Sequence, residues 1–358
     1  MEYKRRNTRE TAVGSVKLGT EHPIAVQSMT NTDTHDFAAT CKQIIELDTA
    51  GCDIVRVTVP DENAAELFGY ARRQGIGTPL VADIHFDYKA AIASAKAGAS
   101  KIRINPGNIG AEWKVREVAE TCNAFGIPIR IGVNGGSLDK ALLEKYGSPM
   151  PEALVESALL QAEMLEKYSF SDIVLSMKSS DVRSTIAAYR LAAEKCDYPL
   201  HLGVTEAGDD YSGIIKSSVG IGSLLCDGIG DTIRVSLTAD PIKEVKAGIE
   251  LLRSIGLYTY GGINVISCPT CGRTKIDLIS LASEFKEAAS SVDTKGKTIG
   301  VAIMGCVVNG PGEAKGADVG IAGGDGSAVL FKNGQIVETI KENEIIPRLI
   351  AEVQKIIG

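Results

Sequence analysis

The sequence predicts a (β/α)8 TIM barrel followed by a small α+β domain. Two features carry that prediction. From residue 24 to about 256, short β-rich runs alternate eight times with stretches of helical period. After "LYTYGG" (257–262) that alternation stops and glycine-rich turns become frequent. Eight strand–helix units over such a length fit a closed barrel better than an open doubly wound sheet.

The strands are expected at "IAVQSM" (24–29), "DIVRVTV" (53–59), "PLVADI" (79–84) and "KIRIN" (101–105). They continue at "PIRIGV" (128–133), "DIVLSM" (172–177), "PLHLGV" (199–204) and "DTIRVSL" (231–237). Helical patterns such as "FAATCKQIIELDTAG" and "DVRSTIAAYRLAAEKC" separate them, and residues 138–168 add helical material after the fifth strand. Past residue 262, strands "TIGVAIM" and "SAVLF" mix with helices at 274–289 and 342–357. The expected division is therefore a barrel domain over 1–258 and a second domain over 262–358, as the length of 358 residues itself favours.

Net charge of −7 argues against a nucleic-acid platform. No apolar run approaches the length that spans a bilayer, and "MEYKRRNTRE" leads into no apolar stretch, so a cytoplasmic protein is expected. Eight cysteines are too sparse for a disulfide scaffold. Cys41, Cys52, Cys122, Cys196 and Cys226 are expected to be small buried hydrophobes.

Side chains alternate faces along a strand, so parity sorts the polar residues. Val55, Val57 and Val59 oppose Arg56; Ile102 and Ile104 oppose Lys101, Arg103 and Asn105; Ile129, Ile131 and Val133 oppose Arg130 and Asn134. Ile233 and Val235 oppose Arg234 and Ser236. The same rule groups Asp83 with His85, Ser176 with Lys178, and His201 with Thr205. The branched apolar face suits the helix layer, which turns the polar face into the barrel, mostly near the carboxyl ends where such barrels carry their sites. Four arginines and a lysine then converge, with only Asp83 and Glu206 to balance them. Buried guanidinium groups need anionic partners, so a phosphate or diphosphate ligand is expected. A pterin or carboxylate ligand is the rival reading. Glu206 is a candidate acid or base, or a salt-bridge partner of a neighbouring arginine.

Cys268 and Cys271 form the chain's one Cys-x-x-Cys pair, and Cys306 follows after 34 residues. All four histidines precede residue 202, so a closed site of three cysteines and one histidine drawn from this domain is impossible. A four-cysteine site would need a barrel cysteine. The nearest hard ligand is Glu313, on a turn shaped by Gly310, Pro311 and Gly312. Three thiolates and a carboxylate suit a [4Fe–4S] cluster with one exchangeable iron, acting as Lewis acid and electron donor. A structural zinc, or an N-cap role for Glu313, is the alternative.

With "VQSMTNTDT", "CDIVRVTVP", "ADIHFD", "KIRINPGNIG", "RIGVNGGSL", "LSMKSSD", "HLGVTEAG", "SCPTCGR" and "MGCVVNGPGEA", the chain resembles the 4-hydroxy-3-methylbut-2-en-1-yl diphosphate synthase family of isoprenoid biosynthesis, in its short bacterial form. The resemblance implies reductive ring opening of 2-C-methyl-D-erythritol 2,4-cyclodiphosphate, the penultimate step of the methylerythritol phosphate pathway. It implies a [4Fe–4S] cluster on Cys268, Cys271, Cys306 and Glu313, with flavodoxin or ferredoxin as electron donor. The diphosphate would lie among Arg56, His85, Arg103, Arg130, Asn134, Lys178, Arg234 and Ser236. Glu206 would donate a proton, Asn309 would orient a substrate oxygen, and the cluster domain of one subunit would cap the barrel of another in a homodimer. The competing expectation is a non-redox barrel enzyme resembling dihydropteroate synthase, with a metal-stabilised appendage.

Overall fold

A computed structural model describes residues 3–138, 140–148, 150–307 and 316–358. The chain divides into two compact units, Met1–Leu257 and Tyr258–Gly358.

The first unit opens with an antiparallel hairpin, β1 (Thr11–Val13) and β2 (Val16–Leu18). Eight parallel strands follow: β3 (Ala25–Met29), β4 (Ile54–Thr58), β5 (Leu80–Asp83), β6 (Lys101–Ile104), β7 (Ile129–Asn134), β8 (Ile173–Lys178), β9 (His201–Leu202) and β10 (Thr232–Ile233). Their hydrogen-bonded order is β8-β7-β6-β5-β4-β3-β10-β9. A parallel bridge between Leu175 and Leu200 joins the two ends into a barrel. The outward faces read as the β-branched runs require: Val55, Val57, Ile102, Ile104, Ile129 and Ile131 are all fully buried beneath the helices.

Local chemistry sets the helix starts. Asp36, Asp87, Asp181, Asp209 and Asp240 each cap a helix that follows a barrel strand, accepting a backbone N–H two or three residues on. Each cap turns the chain back at the carboxyl end of the barrel, the end where the polar residues emerge.

The opposite end is plugged. Val13 and Leu18 of the hairpin pack against Ala25, Ile54, Val81 and Val174 on the amino halves of the strands. Nothing in the sequence marks this hairpin, because two three-residue strands are too short to show a period. β9 and β10 are also shorter than expected. The N–H of Leu237 bonds to the Glu244 carboxylate at 2.9 Å instead of continuing a ladder.

In the second unit one sheet runs in the order β11 (Gly262–Ser267), β12 (Thr298–Met304), β13 (Val319–Gly323), β14 (Ser327–Lys332), β15 (Gln335–Lys341). The first three are parallel and the last two antiparallel. Helices Leu278–Ala289 and Ile345–Ile357 cover one face, burying Phe285 and Leu349 against Ile299, Val301 and Ile303. No helix among the described residues is long and apolar enough to cross a membrane.

Candidate active site

Successive barrel strands aim charged side chains into one cavity of about 210 Å³ at their carboxyl ends. β4 supplies Arg56, β6 Arg103 and β7 Arg130, while Lys178 ends β8 and Arg234 follows β10. His85, Asn105, Asn108, Asn134, Ser176, Thr205 and Ser236 complete the polar lining. Among the described residues, Asp83 is the one acidic side chain that lines the cavity itself.

The charge balance is lopsided. Asp83 takes Arg103 Nη1 at 3.1 Å and lies 3.7 Å from Arg56 Nε. Burial alone would raise its pKa, but Arg56, Arg103 and Arg130 outweigh that and bring it to about 2. Arg56 is pushed down to about 10 by burial, which the attraction of Asp83 only partly offsets. Arg130 is buried, and its Nε and Nη1 find no hydrogen-bond partner among the described residues. Burial, then Arg56 and Arg103, drive its pKa well down. Lys178 is likewise driven well below the ordinary lysine value, first by burial and then by Arg130 and Arg56. Two glycines make room. A Cβ at Gly132 would stand 2.5 Å from Arg103 Nε, and one at Gly203 2.7 Å from Lys178 Nζ.

Two residues outside the cavity lining contact its arginines, and strand parity marks neither of them. Glu244, in helix Pro241–Ser254, is buried and meets Arg234 at 3.2 Å through both oxygens. It also accepts from Ser28 Oγ at 2.9 Å, so one of the four arginines has a carboxylate that strand parity could not reveal. Met29 faces Arg56 and Arg234 through its sulfur. Lys101, which parity groups with the inward face, is fully buried and does not line the cavity, its Nζ without a hydrogen-bond partner among the described residues.

His201 does not line the cavity, which corrects its grouping with the ligand-facing residues. It starts β9, fully buried, with Nδ1 at 2.7 Å from Thr232 Oγ1. Burial, then Arg130 and Lys178, press its pKa well below the usual range and keep it neutral. Parity fixed the face of the strand but not the depth.

Glu206 is exposed beside the cavity and adopts a left-handed φ of +53°. It lines an adjoining space of about 660 Å³ that shares Asn134, Lys178 and Thr205 with the first. A left-handed backbone at a bulky residue costs energy and marks functional sites more often than others.

In the second unit Cys268 and Cys271 follow β11, and Cys306 follows β12, its parallel neighbour. The two loops touch: Lys275 N donates to Gly305 O at 3.1 Å, and Gly305 N donates to Cys268 Sγ at 3.2 Å. Cys271 has a lowered pKa, chiefly through the backbone N–H of Arg273. All three thiols are free. Asn309 and Glu313 lie outside the described residues. Among the described residues, no three His, Cys, Asp or Glu side chains come close enough together to hold a metal ion. Of the remaining cysteines, Cys41, Cys52 and Cys122 are buried as expected, whereas Cys196 is half-buried and Cys226 exposed at a helix end.

A parallel eight-stranded barrel with a strongly cationic cavity at its carboxyl ends places the first unit among the TIM-barrel proteins. Residues 8–249 match the family model described as the GcpE TIM-barrel domain, and residues 264–355 match the GcpE protein C-terminal domain. The 4-hydroxy-3-methylbut-2-en-1-yl diphosphate synthase (flavodoxin) of Caldanaerobacter subterraneus subsp. tengcongensis is 57% identical over 353 residues, covering 99% of this chain and 98% of its own. The Geobacter sulfurreducens protein of the same name is 54% identical, covering 98% of each. The chain belongs to the GcpE family, the 4-hydroxy-3-methylbut-2-en-1-yl diphosphate synthases, and is an enzyme. Dihydropteroate synthase from Thermus thermophilus aligns over 70% of this chain and 99% of its own, with a TM-score of 0.51 and 14% identity. Type I 3-dehydroquinate dehydratase from Clostridium difficile aligns over 69% of this chain and 98% of its own, also at a TM-score of 0.51 and 14% identity. These two likenesses share the barrel fold alone.

Proposed function

We propose that the chain is an oxidoreductase of the methylerythritol phosphate pathway. It opens 2-C-methyl-D-erythritol 2,4-cyclodiphosphate to 4-hydroxy-3-methylbut-2-enyl diphosphate, consuming two electrons and releasing water. One observation carries this beyond family membership: four arginines, Lys178 and His85 surround a cavity whose one acidic lining residue, among the described residues, is Asp83. A cyclic diphosphate supplies the missing negative charge, and its phosphoryl oxygens suit the forked guanidinium donors.

In this reading Arg56, Arg103, Arg130, Lys178 and Arg234 bind the diphosphate, assisted by His85, Asn134 and Ser236. Asp83 holds Arg103 against the wall and stands farther from Arg56, and Glu244 holds Arg234. Glu206, at the edge of the cavity, is the proton donor, and Asn309 orients a substrate oxygen. The buried, neutral His201 supports the floor rather than touching the ligand.

A [4Fe–4S] cluster is the cofactor, held by Cys268, Cys271 and Cys306 with Glu313 as the fourth ligand. The donor chemistry fits. The three thiols are free of disulfides, Cys271 is shifted toward thiolate, and a backbone N–H points at Cys268 sulfur. Such a cluster supplies single-electron reduction and a Lewis-acidic iron. Flavodoxin, which the relatives' names carry, is the donor, with ferredoxin as the alternative. The enzyme is cytoplasmic and works as a homodimer.

Anaerobic purification with iron and sulfide analysis, then electron paramagnetic resonance with the cyclodiphosphate, tests the reading. A brown protein whose signal changes with that compound is expected. A colourless zinc protein indifferent to it would overturn the proposal.

A further inference from the structure

Met29 ends β3, and its sulfur stands between two cations of the cavity. Arg56 directs Nε and Nη2 at Sδ from 3.0 and 2.9 Å, and Arg234 brings Nη1 to 3.7 Å. A thioether is a weak acceptor. Arg56's ion-pair contact, Asp83, is long at 3.7 Å, so this guanidinium is lightly held and can turn to an anion. Met29 is also half-buried rather than sealed, whereas Met177 and Met304 are at most 2% exposed. Nothing in the proposed reaction uses its sulfur.

We propose that Met29 is an oxidation site through which a hydroperoxide lowers the cavity's affinity for polyanions. The thioether sulfur attacks the outer peroxide oxygen, the O–O bond breaks and an S–O bond forms. Sulfur gives up two electrons, and the peroxide's other oxygen leaves, with a proton, as water or an alcohol. The new sulfoxide oxygen is a much stronger acceptor than the sulfur it replaces. It faces the same Arg56 and Arg234 N–H groups and holds them on the barrel wall instead of releasing them to the ligand. Thiol-driven reduction of the sulfoxide restores the original state.

The inference rests on the polyanion reading of the cavity, and its test separates the two. The holoenzyme is titrated anaerobically with inorganic pyrophosphate by calorimetry, as wild type, Met29→Gln and Met29→Leu. Each is measured before and after limited hydrogen peroxide, with sulfoxide located by peptide mass spectrometry. Glutamine puts a carbonyl oxygen where the sulfoxide oxygen would lie, so Met29→Gln is expected to bind pyrophosphate about tenfold more weakly. Peroxide should weaken the wild type in proportion to sulfoxide at Met29, with recovery on methionine sulfoxide reductase treatment. The treated-to-untreated ratio should stay near one in Met29→Leu, although Met150, 42% exposed, is oxidised in every variant. Equal pyrophosphate affinity in Met29→Gln and wild type would overturn the inference, as would an equal peroxide loss in Met29→Leu. Untreated wild type that binds no pyrophosphate would remove the polyanion reading, and this inference with it.

Discussion

The barrel mouth and the cysteine loops hold their reactive groups by opposite means. At the mouth, charged side chains stand on paired strands, with Arg103 in register with Asp83 on one side and Arg130 on the other. Like charges so close repel, and only a continuous backbone ladder can keep them together before a ligand arrives. Cys268, Cys271 and Cys306 instead sit on loops beyond β11 and β12, half-buried or exposed, with few hydrogen bonds among the described residues. A bound metal centre contributes its own ordering energy to the residues that hold it. Preorganised electrostatics therefore requires strands, whereas soft ligands can wait on loops.

The sharpest way to break that comparison is a pair of substitutions. Arg56→Ala and Glu313→Ala should both abolish turnover, but only Glu313→Ala should change the spectrum of the iron centre. Removing Arg56 should weaken pyrophosphate binding by roughly 2–5 kcal/mol, as for the loss of one partner from a buried charge contact. Full turnover in Glu313→Ala would refute the ligand assignment. A changed spectrum in Arg56→Ala would mean that the two sites are not separately organised.

Next in size is an effect on stability. Arg130 is buried, lacks an ion pair within 4 Å among the described residues, and is surrounded by other cations. Arg130→Met keeps most of the volume and removes the buried charge, so it should stabilise the ligand-free protein by about 1–4 kcal/mol. Denaturant unfolding measures this, and the same variant should lose pyrophosphate binding. Destabilisation would show that Arg130 is held by interactions that offset its burial. That outcome would weaken the view of a mouth kept under electrostatic load for function.

The convergence of Arg56, Arg103, Arg130, Lys178 and Arg234 was legible because strand alternation is strict and a barrel has one inside. What alternation cannot supply is depth or visitors from other elements. His201 shares the inward face yet lies beneath the cavity floor. Glu244 reaches Arg234 from a helix, ten residues along the chain, and nothing in local periodicity marks such a return. Met29 reads as an ordinary apolar strand end, and the hairpin at 11–18 is too short to carry a pattern. The left-handed turn at Glu206 was equally hidden, since glutamate has no preference for that backbone. That Cys268, Cys271 and Cys306 stand together late in the chain was legible by counting alone, but the contact between their loops was not.

The smallest expected effect is a pH dependence, and it sharpens the electrostatic side of the comparison. In the free protein Lys178 has a pKa well below its ordinary one, so the folded chain binds this proton less tightly than the unfolded chain does. Within the window below the ordinary lysine value of about 10.4, this group therefore makes the free protein more stable as pH rises. Asp83 works in another window: its contribution is present above about 4 and is lost as pH falls towards about 2. A bound polyanion favours the charged form of Lys178 and raises its pKa again. Binding must then take up protons, and affinity must fall with rising pH in that same alkaline window. Calorimetry of pyrophosphate binding in two buffers of different ionisation enthalpy reads the uptake directly. Release of protons, or affinity that climbs with pH there, would show that the mouth is neutralised before any ligand reaches it.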